Sequence, residues 1–132
     1  QNSSSCKMIE QHILKSKRYN LAINGHVFRH LVENRTKNPE LLTRIVGSAT
    51  IFASMSPDDK AKLIDLLQER EQHVCMVGDG ANDCIALKQA AVGISISNTE
   101  ASIAAPFTSR REDISCVPIL LKEGRGSLAM SF

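Results

Sequence analysis

Tryptophan is absent from this 132-residue chain, and the aromatic side chains amount to 4 Phe and 1 Tyr. The apolar mass comes instead from Ala, Ile, Leu and Val, a composition suited to an α/β domain that handles nucleotides or phosphate. A large excess of either charge is also missing. With 16 Lys and Arg against 14 Asp and Glu, the net charge is +2 and the signs are interspersed, so no polyanion-binding surface is indicated and nucleic acid is not an expected partner. Cys6, Cys75, Cys84 and Cys116 show no paired metal-ligand spacing. They read as reduced thiols in a cytosolic environment. On the same ground the N-x-S/T triplets at Asn2 and Asn34 are expected to stay unglycosylated. No run approaches the roughly 18 apolar residues of a membrane span, and no signal peptide is visible. The length suits one compact domain but is short for a complete multi-step enzyme. Because the chain opens on Gln1 rather than Met, it is expected to be a piece of a longer protein.

The densest signal is His73-Val74-Cys75-Met76-Val77-Gly78-Asp79-Gly80-Ala81-Asn82-Asp83-Cys84. Val74 to Val77 is too short for a helix and β-branched at both ends, which predicts a central parallel strand buried on both sides. Chain leaving such a strand emerges at the carboxyl edge of the sheet, where open α/β folds bind ligands. Gly78 and Gly80 give the following loop backbone freedom to turn tightly against a ligand. Asp79 and Asp83, four apart at the loop-to-helix junction, can converge on one point. Two hard oxygen anions with room left for water and phosphate suit Mg2+. A helix opening near Ala81 or Asn82 adds free N–H groups that favour a phosphate, and Asn82 would cap that helix or donate its amide to the phosphate. Gly-Asp-Gly is also a common turn, and Asn and Asp are ordinary helix starters, so the stretch by itself leaves both readings open.

Along the rest of the chain, Met8, Ile9, Ile13 and Leu14 predict an amphipathic helix from Cys6 to Arg18, making residues 1–18 a boundary segment. Tyr19 to Ile23 reads as a strand, and Val27, Phe28, Leu31 and Val32 as the apolar face of a second helix. His26 and His30 lie four apart on it without a third ligand and read as a solvated face. A short helix from Pro39 to about Ile45 and a strand over Ala49 to Ala53 follow. Ser56-Pro57-Asp58-Asp59 is a helix start with Ser56 as cap and Pro57 at the first position, and the helix runs to about Glu71. Lys60 shares the inward face of Leu63, Ile64 and Leu67 and is placed to balance a phosphate. The competing reading is a surface lysine partnered by Asp58 or Asp59. Asp83 to Ala91 reads as a helix, Val92 to Ile96 as a strand, Thr99 to Ala105 as a short helix and Pro106 to Ser109 as a loop. A last helix, 115–132, is expected to be interrupted at Gly124 and Gly126 and ends on an apolar turn.

Asp79, Asp83 and Lys60 together form a recognisable set. The sequence resembles the phosphorylation domain of P-type ATPases, a haloacid dehalogenase-like, Rossmann-like fold, and more closely their class V branch of polyamine and cation pumps. Gly78-Asp79-Gly80-Ala81-Asn82-Asp83 matches the hinge motif of that family, and Met55-Ser56-Pro57-Asp58-Asp59-Lys60 the segment of its phosphate-site lysine. Val92-Gly93-Ile94-Ser95, Glu100-Ala101-Ser102, Pro106-Phe107-Thr108-Ser109 and Lys122-Glu123-Gly124-Arg125 are similar to class V segments in the same order. The resemblance implies that Asp79 and Asp83 serve Mg2+, that Asn82 and Lys60 contact the phosphorylated group, and that Gly78 and Gly80 line the phosphate site of an ATP-dependent enzyme. The family's nucleophile, the Asp of DKTGT, is not in this sequence, and Ile85 stands where the class V pattern has Gly.

The expected fold is therefore α/β, an incomplete parallel sheet with helices on both faces. Residues 19–114 would form part of the phosphorylation domain, and 115–132 a helix leading toward a membrane segment of the parent. The resemblance further implies a transported cation or polyamine, a position on the cytosolic face of an endolysosomal or other internal membrane, and no activity for the isolated piece. A soluble Mg2+-dependent phosphatase with its nucleophile upstream is the first alternative. A non-catalytic interaction module is the second.

Overall fold

The computed structural model describes residues 20–96, 101–111 and 113–131; the expected helix at Cys6 to Arg18 lies outside them. The chain divides into two compact units at Asp59/Lys60.

In the first unit, β1 (Leu21–Asn24) leads into α1 (Gly25–Glu33), α2 (Pro39–Ser48) and β2 (Ala49–Ala53). The two strands pair in parallel, which requires a crossover, here supplied by the two helices. Each helix presents an apolar stripe at helical spacing. On α2, Leu42, Ile45 and Val46 are buried; on α1, Phe28 is buried and meets Phe52 of β2 edge-on, with ring centroids 6.1 Å apart. Leu31 and Val32 are half-buried, but Val27, expected on this stripe, is exposed. The Asn24 side chain caps α1 by accepting from the His26 N–H at 2.9 Å. His26 and His30 are exposed, as the solvated-face reading requires.

Helix α3 (Pro57–Gln68) carries the chain from the first unit into the second. There β3 (Cys75–Gly78), a 3-10 turn (Ala81–Asp83), α4 (Cys84–Gln89), β4 (Val92–Ser95), α5 (Ala101–Ala104), β5 (Phe107–Thr108) and α6 (Cys116–Met130) follow in order. The strands run β3-β4-β5, all parallel. The fold is thus α/β with parallel strands, divided between a two-stranded and a three-stranded sheet. The core of this unit gathers Ile64 and Leu66 of α3, Ala86 and Leu87 of α4, Ile94 of β4 and Ala101 of α5. Gly93 lets β4 lie close under α4, since a Cβ there would sit 2.4 Å from the Leu87 carbonyl oxygen.

Three expectations are corrected here. Among the described residues the strand with a neighbour on each side is β4, while β3 is paired with β4 and begins on an exposed Cys75. Phe107 and Thr108 form a strand paired with Ile94 and Ser95 rather than a loop. Helix α6 is not interrupted: it runs through Gly124 and Gly126, each costing about 1 kcal/mol relative to Ala without breaking the hydrogen-bond ladder. Pro118 is tolerated because it falls in the first turn, whose N–H groups have no intrahelical acceptor. None of the residues of α6 is buried, and an apolar cleft of about 320 Å³ opens between it and the sheet, lined by Val92, Ile94, Phe107, Leu120 and Leu121 among others. Among the described residues no helix is long and apolar enough to cross a membrane.

Candidate functional site

The site is built where β3 ends. Asp79 follows directly on Gly78, and the 3-10 turn brings the chain back so that Asp83 lies against the strand end. The Asp83 carboxylate is buried, with its side chain 8% exposed, and both oxygens are engaged. Oδ1 accepts from Lys60 Nζ at 2.7 Å, and Oδ2 accepts from the backbone N–H of Asp79 at 3.3 Å. The Asp83 N–H in turn donates to the Gly80 carbonyl at 3.0 Å, closing the turn.

Lys60 therefore faces inward, as its position relative to Leu63, Ile64 and Leu67 implies. Its partner is Asp83, not Asp58 or Asp59. Lys62, by contrast, pairs with Asp65 on the same helix at 3.9 Å. A cation in the first turn of a helix opposes the helix dipole; the buried carboxylate across from it compensates. Breaking such a pair by removing one partner leaves an uncompensated buried charge, which costs about 3–5 kcal/mol.

The glycines act differently from expectation. Neither has a positive φ; Gly80 is extended at φ −126° and ψ 165°. What Gly78 supplies is space, because a Cβ there would lie 2.6 Å from Asp83 Cβ and 2.9 Å from its Cγ and Oδ2. The room is filled by Asp83 itself. At Gly80 a Cβ would meet the Asn82 Oδ1 at 2.7 Å. Asp79 and Asn82 are exposed residues beside the buried Asp83, so the structure brings Lys60, Gly78, Asp79, Gly80, Asn82 and Asp83 together at the carboxyl end of one strand. Ile85, where the resemblance expects Gly, is 49% exposed.

The residue next to Lys60 forms a second buried charge cluster, which sequence reasoning missed. Asp59 is 6% exposed; its Oδ2 accepts from the Ser56 N–H at 3.0 Å and from Arg29 Nη1 at 2.6 Å, while its own N–H donates to Ser56 Oγ at 3.2 Å. The reciprocal Ser56/Asp59 pair is a capping box at S-x-x-D spacing, the one signal of it in the sequence. Burial by itself would raise the Asp59 pKa, but the hydrogen bonds from Ser56 and the Arg29 charge outweigh it and hold the carboxyl below its ordinary value of 3.8. The folded-state value thus lies under the unfolded one, so Asp59 contributes stability at pH values above the ordinary one, and that contribution is lost as pH falls through the lowered folded value. Thermal melts of the 132-residue chain on the acid side should show this loss in the wild type and a weaker pH dependence in Asp59→Asn; identical slopes would contradict it.

Among the described residues no group of three or more His, Cys, Asp and Glu side chains gathers to hold a metal. A closed structural metal cage is therefore not formed by them. Mg2+ does not require one, since it is commonly held by one or two carboxylates with water and substrate phosphate completing the shell.

The family model for haloacid dehalogenase-like hydrolases matches residues 7–91. Over 121 residues the sequence is 49% identical to the probable cation-transporting ATPase catp-6 of Caenorhabditis elegans, covering 92% of this chain and 9% of that protein. It is 48% identical over 119 residues to the polyamine-transporting ATPase 13A3 of Homo sapiens, covering 90% and 10%. It is 49% identical over 120 residues to the vacuolar cation-transporting ATPase YPK9 of Saccharomyces cerevisiae, covering 90% and 8%. The chain spans about a tenth of the length of the curated relatives it matches.

Proposed function

This chain belongs to the haloacid dehalogenase-like hydrolases, and from that premise we propose that it is the carboxy-terminal part of the phosphorylation domain of a class V P-type ATPase that moves a cation or polyamine. The observation that carries this reading is the Lys60–Asp83 pair, 2.7 Å long and buried on the acid's side, set beside Asp79 at the carboxyl end of a parallel strand. It supports a site in which one ammonium group and two carboxylates would handle a phosphoryl group and its counter-ion together. The similarity to cation- and polyamine-transporting ATPases over nine tenths of the chain supports the same reading.

The donor set fits Mg2+: hard carboxylate oxygens, no competing thiolate in the turn itself, and an exposed Asp79. Asp79 would hold the ion, with Asp83 supporting it from behind through the Asp79 backbone. Bound Mg2+ would neutralise charge on the phosphoryl oxygens. Lys60 then contributes fixed positive charge at the same point, and Asn82 an amide for a phosphoryl oxygen. Catalysis of this kind depends on positioning and charge balance more than on covalent chemistry by the surrounding side chains. The nucleophile is an aspartate outside these 132 residues: its carboxylate attacks the γ-phosphorus of ATP, the bond to the ADP oxygen breaks, and ADP leaves. Alone, the chain would then neither hydrolyse ATP nor transport. Residues 19–114 belong to the phosphorylation domain, and 115–132 to the helix leading toward the membrane. The intact protein would sit with this part on the cytosolic face of an endolysosomal or other internal membrane.

Incubating the intact protein with γ-radiolabelled ATP and Mg2+ should label it with a phosphate released by hydroxylamine, the behaviour of an acyl phosphate. Absence of label together with hydrolysis of simple phosphomonoesters would replace this reading with that of a soluble phosphatase.

A further inference from the structure

We propose that Gln89, with Asp65 and Gln68, forms a clasp that sets the axial position of α3 against α4 and thereby where Lys60 meets Asp83. The inference rests on the reading of Lys60 as a phosphate-site lysine and deepens it by adding positioning residues. Lys60, Asp65, Gln68, Asp83 and Gln89 all lie in the second compact unit.

The clasp is reciprocal. Gln89, the last residue of α4, donates its side-chain Nε2 to Asp65 Oδ1, and its backbone carbonyl accepts from Gln68 Nε2 at 3.0 Å. That carbonyl belongs to the last turn of α4, where the helix supplies no donor of its own, so Gln68 caps it. The other Asp65 oxygen faces Lys62 Nζ at 3.9 Å. Lys60, Ile64 and Gln68 follow at steps of four and so lie along one ridge of α3. At one end of the ridge Lys60 meets Asp83, the residue before α4, at 2.7 Å; at the other Gln68 meets Gln89. The two helices therefore run in the same direction and are joined by polar contacts at both ends.

Apolar packing does not supply this alignment by itself. Ile64 and Leu66 of α3 and Ala86 and Leu87 of α4 are buried in the core of this unit. Burial of such side chains is favourable but non-directional, so it holds helices together without fixing how far one slides along the other. Hydrogen bonds have narrow distances and angles and do fix it. Helix α4 is itself seated on β4, where the missing side chain of Gly93 admits the Leu87 carbonyl, so the sheet sets the position of Asp83. It is α3, with Lys60, that has to be registered against α4. Capping of α4 explains the bond from Gln68; it leaves the return bond, from the Gln89 side chain to Asp65, unexplained. A registering clasp uses both. A displacement of the order of 1 Å at a charged group such as Lys60 can cost about a hundredfold in rate.

The test is a mutant cycle on the rate of phosphoenzyme formation by the intact protein at saturating ATP. Gln89→Ala should lower the rate about tenfold, a part of the hundredfold effect of a full misplacement. The KM for ATP and the Mg2+ requirement should stay unchanged, since the Asp79–Asp83 contact lies within one turn of chain and does not involve α3. Gln89→Lys keeps a donor for Asp65 and should restore the rate to within about threefold of wild type. Gln89→Glu keeps the shape but sets a carboxylate against Asp65, and should lose at least as much as Gln89→Ala. In a Lys60→Ala background, Gln89→Ala should add nothing, because its effect passes through Lys60. The clasp is overturned by a loss that multiplies in that background, by a Gln89→Lys rate no better than that of Gln89→Ala, or by a wild-type rate for Gln89→Ala beside an impaired Lys60→Ala. A wild-type rate for Lys60→Ala overturns instead the reading of the site on which it rests. Should Gln89→Ala fail to accumulate as folded protein, Gln68→Ala, which removes the other bond, takes its place under the same criteria.

Discussion

Asp79→Asn in the intact protein should reduce phosphoenzyme formation or turnover by about a thousandfold, the upper range for removing one charge-stabilising group from a phosphoryl or acyl site. The backbone N–H of Asp79 donates to Asp83 Oδ2 at 3.3 Å. Asparagine keeps that N–H, the side-chain length and the exposed position at the end of β3. What it loses is the anionic oxygen, and Mg2+ prefers hard anionic oxygens over a neutral amide. The variant should therefore need a higher Mg2+ concentration for whatever residual rate it has. Wild-type ATPase activity with an unshifted Mg2+ requirement would refute the assignment of Asp79.

Which parts of this site were legible in the sequence depended on how local the cause is. The strand Ala49–Ala53 was predicted to the residue, because a short apolar run ended by Ser54 and a capped helix start leaves little freedom. The loop-to-helix junction at Asp79 to Asp83 was legible for the same reason. Strand position in a sheet is not local. Val74 to Val77 looks like a central strand by its β-branched ends, yet among the described residues β4, which contains Gly93 and Ser95, is the one flanked on both sides and the more buried. Its glycine is required by the helix lying on it rather than by the strand, and a hydropathy pattern does not record that. The grouping of Lys60 with Asp83, 23 residues apart, was reached from helical spacing together with a family resemblance, but their direct contact was not expected. The Arg29–Asp59 contact spans 30 and had neither. Gly124 and Gly126 misled because glycine lowers helix propensity without forbidding the helix, and no neighbour approaches closely enough to exploit the missing side chains.

Gly78→Ala should be the most disruptive single methyl that can be added to the site, destabilising the 132-residue chain by about 3 kcal/mol and lowering turnover of the intact protein about a hundredfold. The added carbon would arrive 2.6 Å from Asp83 Cβ, an atom one bond from the backbone that rotation of the side chain cannot move away. Asp83 has no alternative place to go, since its carboxylate is pinned between Lys60 Nζ and the Asp79 N–H and is nearly sealed from water. Either the end of β3 or the 3-10 turn must shift, and each shift pulls the carboxylate off the ammonium group. Gly80→Ala is the matched control. There the new methyl meets the tip of the exposed Asn82 side chain, which can swing away, and the next atom is 3.8 Å distant. The backbone at Gly80 is already extended and acceptable to alanine. Melting temperatures should therefore separate the two variants, with Gly80→Ala close to wild type and Gly78→Ala well below it. If the pair melt together, Asp83 is not packed into the space that Gly78 leaves, and the buried Lys60–Asp83 contact cannot be the element that fixes this site.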